Sequence, residues 1–272
     1  MSVAAALSRE AETQELRDAF DAAKARTGLV AVLLAVAGLA WWLASEQMVG
    51  MDDGPGSHLG TLGWFVGVWL AMMTAMMLPS VSPTVALYAG TMRRREPLAP
   101  LAFAAGYLIP WIAAGLAAYV LTMLAHRVME VSWGSTGHWL AAGVLAGAAV
   151  YELSPLKHVC LATCRSPVAY LLRSWQSGRV GAVRMGIGNG AWCVGCCWAL
   201  MAALFALGVM SVAWMALVAA LITVEKLLPW RRTATWSTIA VLLLLAVLLA
   251  LAPDSVPGLT MPGGSMAQMG IR

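Results

Sequence analysis

All five cysteines of this 272-residue chain fall between positions 160 and 197, and three of them, Cys193, Cys196 and Cys197, sit in one apolar run, GNGAWCVGCCWALM at 188–201. On a helix the i, i+3, i+4 spacing puts these three on one face, with Asn189 one turn earlier on the same side. Thiolates are soft donors that suit Cu(I), or Zn²⁺ as a second choice. One helix can give two or three donors to an ion, so the rest must come from another segment. Cys160, Cys164 and His158, in SPLKHVCLATCRSP at 154–167, are the candidates. Met73, Met76 and Met77, in MMTAMMLP at 72–79, repeat the same helical spacing with thioether sulfur. Free cysteine also packs as a small hydrophobe, and methionine fills gaps in cores. The clustering of the cysteines argues against filler, whereas a methionine face reads as core before it reads as ligand. Glu152 and Glu225 stand at the edges of apolar runs, where a carboxylate is costly and faces a partner or the bundle interior. Lys226 is expected either to pair with Glu152 or to snorkel. Cys197 is expected to matter least if its side of the helix turns to lipid.

The elements that must position these groups follow from composition. The chain is 61% hydrophobic and 11% charged, with mean hydropathy +0.78, against roughly 25% charged in a soluble domain. Its apolar runs approach the ~20 residues that cross a bilayer. The fold class expected is all-α, a polytopic transmembrane bundle of about seven helices near 28–45, 62–80, 98–125, 137–154, 187–206, 209–228 and 233–252, with a short interfacial helix near 167–178. Residues 1–27 read as a cytoplasmic N-terminal tail without a cleavable signal, 28–252 as the bundle, and 253–272 as a flexible tail. Lys and Arg gather after the second, fourth and sixth segments (Arg93–Arg95, Lys157 to Arg184, Arg231 and Arg232), which places the N-terminus inside and the C-terminus outside. Six crossings is the alternative, if the fifth and sixth segments form a hairpin that does not fully cross. Gly63/Gly67, Gly143/Gly147 and Gly186/Gly190 carry small-xxx-small spacing for close helix packing.

This topology brings Met73–Met77, Glu152, His158, the five cysteines, Glu225 and Lys226 to one depth, the cytoplasmic half. On the other side, Met48, Met51, Asp52, Asp53 and His58, and the tail methionines Met261, Met266 and Met269, read as a flexible loop and tail.

The strings MMTAMMLP, SPLKHVCLATCRSP, GNGAWCVGCCWALM and VEKLLP, in this order over roughly residues 60–230, resemble a bacterial family of predicted metal-binding integral membrane proteins, a domain of unknown function. The resemblance implies a polytopic bundle with a metal site built from these Cys, Met and acidic residues; it implies no demonstrated activity.

Three functions compete. The first is handling or delivery of copper in a multi-pass protein of the bacterial inner membrane, with a metallochaperone or metalloenzyme as partner besides the bilayer. The second is a thiol–disulfide oxidoreductase using the CxxC of Cys193 and Cys196. Its weakness is that the topology puts every cysteine on the reducing side. The third is a small-solute or metal transporter, in which Pro79 and Pro83 would break the second helix. No Walker motif, HExxH or G-x-S-x-G occurs, so neither an ATPase nor a hydrolase is expected. The basic residues sit in short loops, which makes them topology signals and not a nucleic-acid surface. The metal and the oligomeric state are not legible.

Overall fold

The computed structural model describes residues 26–47, 61–91, 96, 98–129, 137–208, 211–227 and 230–252. The methionine-bearing stretches 48–58 and 259–270, most of the N-terminal tail and Arg93–Arg95 lie outside them. Among the described residues the chain is all-helical: α1 (Arg26–Gln47), α2 (Leu62–Thr91), α3 (Ala99–Met129), α4 (Gly137–Glu152), α5 (Pro155–Cys164), α6 (Pro167–Ser174), α7 (Gly178–Leu207), α8 (Val212–Leu227) and α9 (Arg231–Leu251).

Five of these helices, α1, α2, α3, α7 and α9, are long and apolar enough to cross a membrane, and α4 with α5 makes a sixth if that bent pair is one span. The outward surface agrees: Leu121, Val150, Leu172, Leu244 and Leu251 are each more than half exposed. Helix α8 has 16 described residues, roughly 24 Å of rise, short of the ~30 Å hydrocarbon core. A seven-crossing bundle therefore depends on α8.

Three boundaries differ from the sequence expectation. Helix α2 does not break at its prolines but runs on to Thr91 with Pro79 and Pro83 inside it. Pro83 cannot bond to the carbonyl of residue 79, and the Ser82 hydroxyl donates to that carbonyl instead, at 2.9 Å. Helix α7 begins at Gly178, nine residues before the expected 187, so the three cysteines lie in the middle of a 30-residue helix and not in its first turns. The stretch after Glu152, expected as loop, is helix α5, set at 69° to α4. Its local cause is plain in the residues. Ser154 is extended and accepts from the Lys157 N–H at 3.1 Å, and Pro155 occupies the first turn, where a missing N–H costs nothing. The short helix expected near 167–178 is α6, with Tyr170 and Leu171 buried.

At the centre of the bundle α7 packs along α3, with α4 and α5 also against α7, α2 on α3, and α9 on α4. The α3–α7 seam is built on glycine. A Cβ at Gly186 would overlap the Phe103 carbonyl, one at Gly190 the Tyr107 carbonyl, and one at Gly106 the Val183 carbonyl. The backbones themselves touch, as small residues permit. The Gly186/Gly190 pair thus packs as expected. Gly63, Gly67, Gly143 and Gly147 do not: a Cβ at any of them meets nothing within 4 Å, because they face outward.

Candidate metal centre

The rotation of α7 fixed by this glycine seam turns Cys193, Cys196 and Cys197 inward, where all three are buried. Their sulfurs lie within 4.8 Å of one another. Thiolates at about 2.3 Å from a shared ion stand about 3.7–4.6 Å apart, so the three can reach one ion with small rotamer changes. Cys197 is buried in the cluster at 2% exposure; the expectation that it matters least falls with the lipid-facing orientation that motivated it.

Two other helices bring sulfur to the same place. Cys164, the last residue of α5, has its Sγ 3.8 Å from that of Cys196. Met77, on α2, has its Sδ 3.9 Å from Cys193 Sγ. Cys196 and Cys197 are 3.2 Å apart, and the Cys196 thiol donates to the Cys193 carbonyl at 3.2 Å. Cys160 is buried one turn before Cys164, where it lies over Gly195: a Cβ added there would come within 2.7 Å of its sulfur. Met73 and Met76 are buried in the surrounding core, and His158 is exposed. All five cysteines are free thiols.

Cys193 Sγ accepts two short hydrogen bonds, from the Tyr107 hydroxyl at 2.9 Å and from Lys226 Nζ at 3.0 Å. The same ammonium donates to Ser80 Oγ at 3.2 Å. Lys226 therefore neither pairs with Glu152 nor snorkels; it reaches the cysteine pocket. The lysine that meets the carboxylates is Lys157. It is ion-paired with Glu152 and, at 2.7 Å, with Glu225, all three being at most 2% exposed. The Arg165 guanidinium donates to the Glu225 carbonyl at 2.9 Å. Glu152 and Glu225 are thus held by an ammonium beside the pocket, and among the described residues no hydrogen bond joins either side chain to a cysteine sulfur.

Around this core, Tyr151 donates to the Gly195 carbonyl and Tyr170, on α6, to the Met185 carbonyl, each at 2.6 Å. Burial raises the Tyr170 phenol above its ordinary range, so it stays a donor. Sequence reading missed Tyr107, Ser80 and Lys157. A tyrosine or serine in an apolar run is a weak signal, but Lys157, five residues after Glu152, was legible as a charge needing a partner.

An α-helical bundle with a buried cluster of thiols on its central helix defines the class: a helical protein whose three clustered sulfurs could hold a soft metal ion. Residues 66–249 match the PpoB2 family, described as copper chaperones, and the chain belongs to that family. No curated protein and no solved structure matches it.

Proposed function

We propose that this chain is a multi-pass membrane protein that holds one Cu(I) as cargo on Cys193, Cys196 and Cys197 and passes it to a partner protein. The observation that carries this reading is the set of three buried sulfurs within 4.8 Å on one helix. They form a soft donor set, in a chain of a copper chaperone family. Cys164 and Met77 extend the set on two sides, so an ion can be exchanged between neighbouring sulfurs without leaving the pocket. Zinc is the second metal the thiols suit. The long apolar helices and their exposed apolar surface support the membrane setting. The Lys/Arg pattern supports an inner-membrane orientation with the loops around α5 and α6 on the cytoplasmic side.

The test is metal analysis of protein purified in detergent under reducing, chelator-free conditions and titrated with Cu(I). Close to one equivalent per chain is expected, lost in Cys193→Ser and in Cys196→Ser, because an alcohol replaces a thiolate poorly. Full occupancy in the double mutant would sink the reading. One distance favours a second reading, disulfide exchange: the 3.8 Å between Cys164 and Cys196 on different helices. A disulfide-linked adduct with a partner on a non-reducing gel, in protein that takes up no metal, would promote it.

A further inference from the structure

Lys226 poses a charge problem that its surroundings answer. Its relevant contacts among the described residues are Ser80 Oγ and Cys193 Sγ. The ion pairs between described residues are those of Lys157 with Glu152 and Glu225, and Lys226 is in neither. Glu225 is its neighbour in sequence, but successive residues on a helix point about 100° apart, and Glu225 faces Lys157 while Lys226 faces the sulfurs. Lys226 is half-buried, and an ammonium drawn out of water is costly unless it is paired. Serine and tyrosine hydroxyls supply no negative charge. The group in direct contact with Lys226 that can carry a negative charge is therefore the Cys193 sulfur.

We infer that Lys226 is the counter-cation of the loaded site, balancing the net negative charge that a monovalent ion acquires on two or more thiolates. A Cu(I) bound by two thiolates carries a net charge of −1 and one bound by three carries −2, and the ammonium beside Cys193 offsets one unit of that charge. Ser80 holds the ammonium from the α2 side, so the charge stands at a fixed place when the ion arrives. This rests on the copper reading above and deepens it: Lys226 is a positioning residue that contributes charge and no bond to the metal, and the ion it favours is one whose thiolate complex is anionic.

The experiment is competition for Cu(I) between a chromophoric Cu(I) chelator and the full-length protein in detergent, for wild type, Lys226→Met, Lys226→Gln, Lys226→Arg and Ser80→Ala. Unit charges about 5 Å apart at an effective dielectric of about 20 correspond to a factor of a few hundred at most in a binding constant, which partial exposure to water reduces. Lys226→Met and Lys226→Gln are expected to bind at least about tenfold more weakly. Lys226→Arg and Ser80→Ala, which keep the charge, are expected to stay within about threefold of wild type. Rescue by arginine separates charge from packing, and monodispersity on size exclusion shows that each variant folds. Binding by Lys226→Met or Lys226→Gln as tight as wild type, or tighter, overturns the inference and makes the lysine an occupant that the ion displaces. Failure of the wild type to take up Cu(I) overturns the copper reading first, and the inference with it.

Discussion

Lys157 stands between two carboxylates that share its single charge, and Glu152 Oε1 and Glu225 Oε1 are buried with no hydrogen-bond partner among the described residues. Removing the ammonium alone leaves buried carboxylates uncompensated. Lys157→Met should therefore lower stability by about 3–5 kcal/mol, read as a large drop in thermal unfolding temperature in detergent. The triple variant Glu152→Gln, Lys157→Met, Glu225→Gln replaces the charges together and should recover most of that loss. If the single and triple variants unfold alike, the triad is not what holds α5 to α8. Tyr107→Phe deletes one donor to Cys193 and nothing of its ring. It should cost about 1 kcal/mol by the same unfolding measurement and leave Cu(I) stoichiometry unchanged.

At the scale of the element, the glycines of α7 separate contact from spacing. Gly186→Ala drives a Cβ into the Phe103 carbonyl. Backbone cannot swing aside as a side-chain tip can, so α3 and α7 must part, at a cost of about 1–3 kcal/mol or more. Gly63→Ala and Gly143→Ala meet open space and should be neutral or gain up to about 1 kcal/mol from helix propensity. Equal unfolding temperatures for all three variants would contradict a backbone seam. The sequence alone could not tell these glycines apart, because spacing is the same whichever way a helix is rotated. Rotation is also what hid the lysine partners. Lys157 and Lys226 each lie near a glutamate in the chain, and only the 69° turn after Ser154 decides which one meets both carboxylates. The cysteine face was legible because its three members share one helix, so their mutual geometry needs no tertiary knowledge. The apolar segments were legible for a similar reason, being set by composition. The start of α7 was not, since Gly178 to Gly186 looks like loop until Phe103 and Tyr107 pack against it.

For the whole molecule, the count of crossings has a parity. Seven crossings, with α8 as one, put the termini on opposite sides; six put them on the same side. Reporter fusions after Arg179 and Arg232 are expected to read cytoplasmic, and a fusion at the C-terminus periplasmic, from the Lys/Arg distribution. A cytoplasmic C-terminus with a cytoplasmic N-terminus would remove α8 as a full crossing.

The glycine seam also has a mechanical consequence. Two helices in backbone contact have no side-chain layer between them to shear, so α3 and α7 behave as one beam carrying Tyr107 and three sulfurs. Cys164 is carried differently, at the tip of a 10-residue helix with a joint at each end, at Ser154 and at Ser166. The pocket thus has one stiff wall and one jointed wall. A change in the cage's width is therefore expected on the side of Cys164, with the three-cysteine face keeping its shape.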